Sequence, residues 1–117
     1  MAEQYLRQSP LAHLHLVARA NNQIAEATSE AEVFLGERNF RQQWVLRGKA
    51  DDEQFVTAVR SITGCDLPDT TNTVHVNGDI SVLWLGPDEW LLIMPDDTNT
   101  GPELIGATRD CHAAVVN

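Results

Sequence analysis

Residues 80–95 read Ile-Ser-Val-Leu-Trp-Leu-Gly-Pro-Asp-Glu-Trp-Leu-Leu-Ile-Met-Pro, and they contain two of the chain's three tryptophans. We predict a β-hairpin here, with strands at 80–85 and 90–94 joined by a turn at 86–89. Pro87 supplies the backbone angle that the second position of a common β-turn requires. Apolar side chains occupy both faces of both strands, so we expect a cover on each side. The helices of one small domain can cover one face, and the other face needs more chain or another subunit.

The composition limits the class of function. The chain has 117 residues, which suits one domain with a modest core, and its net charge is −9. An acidic surface repels nucleic-acid phosphates and anionic lipids. No apolar run approaches the roughly 18 residues that span a bilayer, and we see no signal peptide. Cys65 and Cys111 lack a motif spacing and are expected to be reduced thiols. We therefore predict a cytoplasmic protein with neither nucleic-acid nor membrane partners.

Two helices are predicted outside the hairpin. Asp51 or Asp52 is expected to cap the first helix, which ends at Gly64. Thr100 is expected to cap the second, with Pro102 tolerated in its first turn. The positions expected to be buried are Phe55, Val56, Val59 and Ile62 in the first helix and Leu104, Ile105 and Thr108 in the second.

The order of elements predicts an α+β fold with a mainly antiparallel sheet and helices on one face. Asn77-Gly78-Asp79 is a tight-turn signal that leads into the hairpin. Residues 1–30 are expected to form an N-terminal arm, and residues 31–117 a single α+β domain. Short apolar runs predict the remaining strands at 32–35, 44–46, 73–76 and 113–116.

Residues that could bind a metal are scattered along the sequence. No phosphate loop, dinucleotide fingerprint, CxxC or HExxH pattern occurs. His13 and His15 stand one residue apart without a nearby partner, which favours a solvated or packing role. Cys65, Cys111 and His112 would form a metal-like trio only if three distant positions converged. We predict no catalytic, cofactor-binding or metal-binding residue in this chain.

The hairpin itself offers two further possibilities. Asp88 and Glu89 are a carboxylate pair, but adjacent turn residues diverge and turn tips are routinely acidic. Trp84 and Trp90 could stack on a flavin or pterin, although on an apolar hairpin tryptophans more often serve the core or an interface. The predicted interface residues are Trp84, Leu85, Pro87 and Trp90.

The hairpin also carries a family resemblance. Residues 83–92, Leu-Trp-Leu-Gly-Pro-Asp-Glu-Trp-Leu-Leu, resemble the signature of the gamma subunit of heterotetrameric sarcosine oxidase. The tryptophan motif is specific, and weaker matches gain weight from following the family's order along almost the whole chain. The chain covers about half of the usual family length. The weaker matches are Ser9–His13, Leu46–Gly48, Phe55–Val59, Gly64, Leu67-Pro68, Asn72 and Ala113–Val116.

The resemblance implies a fold similar to part of the folate-binding domain of the glycine-cleavage aminomethyltransferase. It implies a complex that oxidatively demethylates sarcosine or a related N-methyl amine and passes the one-carbon unit to tetrahydrofolate. Alpha, beta and delta-type subunits would be the partners, and they would hold FAD, FMN, NAD, tetrahydrofolate and zinc. This chain would hold no cofactor and would act as a non-catalytic assembly subunit of the heterotetramer.

Two alternatives stand beside this interpretation. One is a small folate-binding or aminomethyltransferase-like enzyme, which is supported by fold kinship only. The sequence lacks the Lys-Gly-Cys-Tyr-x-Gly-Gln-Glu motif of one folate-binding relative. The other alternative is a homo-oligomeric interaction domain, with a homodimer as its simplest form. An unpaired sheet edge and an exposed apolar face would favour a dimer, a domain swap or a larger subunit as cover.

Overall fold

The computed structural model describes residues 7–25, 33 and 35–117. The chain forms two compact units, residues 1–40 and 41–117. In the first unit, a 3-10 turn at Ala12–Leu14 precedes helix α1, Leu16–Ala25. Within the described ranges, no helix is both long enough and apolar enough to cross a bilayer.

The second unit is an α+β domain built on a five-stranded sheet with the strand order β2-β3-β4-β1-β5. Every pair of neighbouring strands is antiparallel, which confirms the predicted fold class. The strands are β1 (Arg41–Arg47), β2 (Val74–Asn77), β3 (Ile80–Gly86), β4 (Glu89–Pro95) and β5 (Ala114–Val116). The helices of this unit are α2 (Glu53–Thr63) and α3 (Thr100–Ala107).

Strands β3 and β4 confirm the central hairpin. Pro87 and Asp88 form the turn between them, and the register shifts between Trp84 and Gly86. A second tight turn joins β2 to β3, where Asn77 pairs with Ile80. Gly78 has a φ of 58° in this turn, a conformation that glycine adopts without a steric penalty. The Asn-Gly-Asp signal therefore marked the turn correctly.

The core lies on one face of the sheet, where side chains alternate along the strands. Phe55 and Val59 of α2 and Leu104 of α3 pack on this face, so both helices cover the same side. The buried apolar residues of the core are Trp44, Leu46, Phe55, Val59, Cys65, Val82, Trp90, Leu92, Met94 and Leu104.

Helix α2 begins and ends at residues that its sequence predicted. The Asp52 side chain accepts hydrogen bonds from the backbone N–H groups of Gln54 (3.1 Å) and Phe55 (3.3 Å). Gly64 ends the helix with a φ of 72°. A side chain at position 64 would also displace the Asn77 side-chain amide, so both the positive φ and the space favour glycine here.

Helix α3 differs from its prediction in two details. Asn99, rather than Thr100, precedes the helix, and its side chain makes no capping bond. Ile105 was expected to be buried, but it is 44% exposed. Leu104 and Thr108 lie four residues apart on one face, whereas Ile105 is rotated by about 100° from Leu104 and points away from the sheet.

The strand predicted at 32–35 lies mostly outside the described residues. Val33 and Leu35 are described, and neither belongs to a strand. The other predicted strands are present, with β1 beginning three residues earlier than expected, at Arg41.

Replacing the buried Trp90 tests the centre of the core. Its side chain is 1% exposed, and its indole N–H donates to the Pro68 carbonyl at 2.8 Å. Trp90→Ala is expected to lower the free energy of unfolding by about 3–5 kcal/mol because it leaves a cavity. Trp90→Phe should cost about 1–3 kcal/mol, because the Pro68 carbonyl loses its donor. Urea unfolding followed by circular dichroism measures both, and Leu85→Ala is the exposed control. Equal losses for Trp90→Ala and the control would contradict the assignment.

The α2 cap allows a comparison between adjacent aspartates. Asp52→Ala should lower the free energy of unfolding by about 1 kcal/mol, because two backbone N–H groups lose their acceptor. Asp51→Ala is the control, since Asp51 is exposed and makes no capping bond. Thermal and urea unfolding of the two variants should therefore differ. An equal effect would show that the charge near the helix N-terminus matters rather than the hydrogen bonds.

Candidate functional site: the open face of the sheet

The side of the sheet opposite the core is also apolar. Its residues alternate with the core residues, and one row runs directly across all five strands. In order across the sheet, the row is Val74, Leu83, Leu91, Val45 and Val116. We call this side the open face and define it by Val45, Val74, Val76, Leu83, Leu85, Leu91, Ile93 and Val116.

Several residues of the open face have large exposed fractions. Val76 is 64% exposed, Val116 57%, Val74 49% and Leu85 47%. Both helices of residues 41–117 pack on the other side of the sheet, so these helices cover only one face of the hairpin. Contiguous exposed apolar patches of this kind mark protein contact sites in soluble proteins. The open face is therefore the candidate functional surface.

Charge on the open face is nearly balanced, although the chain as a whole carries −9. The strand positions on this face contribute Arg41, Arg47 and Glu89. Arg47 and Glu89 are paired in register, and Arg47 Nε lies 3.5 Å from Glu89 Oε1. Most of the acidic charge therefore lies elsewhere, and the open face presents apolar side chains together with one ion pair, Arg41 and the neutral side chains of Gln43 and Ser81.

The four residues predicted for an interface occupy different positions. Leu85 lies on the open face, and Pro87 is exposed in the β3–β4 turn. Trp84 and Trp90 are opposite each other in register and lie on the core side, where Trp84 is half-buried. The alternation in the hairpin strands also separates Leu83, Leu91 and Ile93 from the core side, but of the open-face residues only Leu85 was predicted to lie in an interface. The alternation of Val74 and Val76 in β2 was the signal that could have found two of them.

A groove of about 640 Å³ lies at the end of the sheet beside the β3–β4 turn. Arg47 and Glu89 pair in its wall, and the Asp88 carbonyl accepts a hydrogen bond from Gly48 N–H at 3.1 Å. These contacts hold the turn against the end of β1. The Asp88-Glu89 pair thus has structural partners. The groove is lined by Arg47, Gly48, Lys49, Gly86, Pro87, Asp88, Glu89 and Cys111–Ala114.

The two cysteines are not brought together with His112 into a metal cluster. Cys65 is 4% exposed in the core, whereas Cys111 is half-buried beside the groove. In the described ranges, no group of three or more His, Cys, Asp or Glu side chains is arranged to hold a metal ion. Burial raises the pKa of both thiols, and Asp52 and Asp110 raise the pKa of Cys111 further.

Alkylation tests these two environments. Iodoacetamide should modify Cys111 before Cys65 in the folded chain, because Cys65 is almost fully buried. Both should react more slowly than a free thiol at pH 8, because a raised pKa lowers the thiolate fraction, and the rates should increase at higher pH. Mass spectrometry of Cys65→Ser and Cys111→Ser separates the two rates. A Cys111 rate above that of a free thiol would indicate an activated cysteine instead.

The fold and the open face together define a class of protein. It is a small α+β domain with one packed face and one apolar face that is suited to contact with another protein. Residues 47–117 match the sarcosine oxidase, gamma subunit family, and the chain belongs to that family. The resemblance of the tryptophan hairpin to this family is thereby confirmed.

Individual relatives agree with this assignment. The chain is 38% identical over 105 residues to sarcosine oxidase subunit gamma of Corynebacterium sp. strain U-96, covering 87% of this chain and 48% of the relative. It is 34% identical over 107 residues to sarcosine oxidase subunit gamma of Corynebacterium sp. strain P-1, and this alignment covers 90% of this chain and 49% of the relative. The chain therefore spans about half the length of these relatives.

A solved structure has the same fold. It is a chain of heterotetrameric sarcosine oxidase from Corynebacterium sp. U-96 in complex with pyrrole 2-carboxylate, with 34% sequence identity and a TM-score of 0.72. The alignment covers 96% of this chain and 55% of that chain.

Proposed function

We propose that this chain is a non-catalytic subunit of a sarcosine oxidase-type complex, with a role in its assembly. The observation that carries the proposal is the match of residues 47–117 to the gamma subunit family. The open face supports it, because an apolar surface across five strands is the kind of surface that a subunit buries against its neighbours.

The proposed complex has three further kinds of subunit, and these would hold its cofactors. Alpha, beta and delta-type subunits would be the partners, and they would hold FAD, FMN, NAD, tetrahydrofolate and zinc. The complex would oxidatively demethylate sarcosine or a related N-methyl amine in the cytoplasm. In the related Corynebacterium protein, the solved assembly is a heterotetramer, which agrees with a multi-subunit partner set.

The predicted interface residues enter the proposal with different weights. Leu85 belongs to the open face and Pro87 adjoins it, and both are exposed, so both are available to a partner. Trp84 is half-buried and can contribute a part of its ring. Trp90 is 1% exposed and would act by holding the hairpin in shape. We also propose the fold kinship with part of the folate-binding aminomethyltransferase domain, on the basis of the antiparallel sheet with helices on one side.

A charged substitution on the open face tests the assembly role. Leu85→Lys places an ammonium group on the surface that the partner would bury, and Ile105→Lys is the matched control. The two residues have similar exposure, 47% and 44%, but Ile105 lies on α3, on the other side of the sheet. Co-expression with the alpha, beta and delta-type subunits of the same genome, followed by affinity purification, measures assembly.

Leu85→Lys is expected to reduce recovery of the complex by about tenfold or more, as a charge in an interface core does, while Ile105→Lys assembles like the original chain. Melting curves of the isolated variants should match within a few degrees, because both positions are exposed. Failure of the unsubstituted chain to co-purify with any flavoprotein subunit, with full oxidase activity in its absence, would overturn the proposed function. Normal assembly of Leu85→Lys would remove the open face from the interface.

A further inference from the structure

We propose that the outer edge of β2 and the open face form one docking surface, and that its occupant is an extended strand of a partner subunit. This strand would pair with β2 and continue the sheet beyond its present five strands. The inference rests on the proposed function, because the strand belongs to a subunit of that complex. The contact would be made by backbone N–H and C=O groups of β2 that point away from β3.

The hydrogen-bond pattern of β2 identifies the free backbone groups. Trp84 N–H donates to the Thr73 carbonyl at 3.0 Å, so these opposite residues form a hydrogen-bonded pair. Hydrogen-bonded and non-bonded pairs alternate in an antiparallel ladder. His75 and Asn77 therefore bond to β3, whereas the N–H and C=O groups of Val74 and Val76 point away from the sheet. No described residue forms a hydrogen bond with these outward groups.

The side chains of the same two residues lie on the open face. Val74 is 49% exposed and Val76 is 64% exposed. Strand β2 reads Val-His-Val-Asn, with no lysine, proline or bulge, which are the devices that usually protect a sheet edge from pairing. The edge therefore offers two hydrogen-bonding residues whose side chains are continuous with the apolar row across the sheet. An extended strand satisfies both requirements at once.

The open face is too small for a partner that only stacks on it to form a stable interface. Five strands of three to seven residues, with a rise of about 3.3 Å per residue and a spacing of about 4.8 Å, present a face of about 440 Å². A stable interface buries about 800 Å² on each partner. A partner that only stacks on the face falls short of this area. A strand added at β2 extends the apolar row and supplies directional hydrogen bonds as well.

The net charge of the chain and the charged residues of the open face indicate what kind of strand can bind there. A second copy of this chain would bring a further net charge of −9, and mutual repulsion of that size favours monomers. The open face itself carries Arg41 and an Arg47–Glu89 pair, so it does not demand a basic partner. The occupant is thus an uncharged extended segment, with β-branched or leucine side chains at alternate positions that face the same side as Val74.

Val76→Pro tests the contact without disturbing the β2–β3 ladder. Proline removes the outward N–H of position 76, which no bond to β3 uses, and it restricts His75 to the extended region that the residue already occupies. Val76→Thr is the matched control, since it keeps both the N–H and the β-branched shape. With the co-expressed alpha, beta and delta-type subunits as the probe, Val76→Pro is expected to assemble at least tenfold more weakly than Val76→Thr. Melting curves verify that both variants fold.

Hydrogen exchange on the unsubstituted chain provides an independent measurement. The amides of Val74 and Val76 should exchange rapidly in the isolated chain and become protected in the assembled complex. The His75 amide is the internal control, because its bond to β3 protects it in both states.

The outcomes separate this inference from the proposed function. If the unsubstituted chain assembles and both Val76 variants assemble equally well, with Val74 and Val76 unprotected, the strand contact is wrong while the subunit role stands. If Val74 and Val76 become protected in the isolated chain as its concentration increases, the occupant is a second copy and the inference is overturned. If the unsubstituted chain does not assemble, the proposed function fails and the inference falls with it.

Discussion

Trp90 joins three parts of the domain, and the arrangement of residues 41–117 depends on that junction. It pairs with Trp84 across the central hairpin, its ring lies 6.0 Å from that of Phe55 on α2, and its indole N–H bonds to the Pro68 carbonyl. The hairpin, the helix and the loop after the helix are thus held by one side chain. A buried indole needs a partner for its N–H, so the loop must lie where Pro68 can accept that bond.

Because Trp90 faces the helices, the other face of the hairpin is determined. Side chains alternate along a strand, so Leu91 and Ile93 must lie on the side away from α2 and α3. Leu91 and Ile93 are both apolar. Leu83 on β3 and Val45 on β1, which pair with Leu91, are also apolar and lie on the same side. The open face is therefore a consequence of placing both helices on one side of a sheet whose central strands, β3 and β4, carry apolar side chains on both faces. The chain belongs to the sarcosine oxidase gamma subunit family, and the assembly role of this surface is our proposal.

Much of the fold was predictable because its signals are local. Helix α2 begins after Asp52, whose side chain accepts hydrogen bonds from backbone N–H groups two and three residues away. It ends at Gly64, and Gly78 lies in the β2–β3 turn, because glycine adopts a positive φ at both positions. Predictions that depended on distant packing were less successful. Ile105 has an apolar side chain at a plausible position, but the direction in which α3 packs leaves it exposed. The residues predicted for an interface differ in burial, since Trp90 is buried and Leu85 is exposed, and sequence alternation alone does not say which face the helices cover.

The sequence by itself determined α2, the two antiparallel hairpins and the family, because turns, caps and the tryptophan motif are short patterns of neighbouring residues. It did not identify helix α1, which lies within the predicted N-terminal arm. Only the tertiary structure decided which face became the core and which became the open face. It also decided which backbone groups of β2 point outward, because these depend on the register between β2 and β3. Burial and strand pairing join residues that are far apart in the chain, and their pattern exists only once the strands have paired and the helices have packed on the face that holds Trp90.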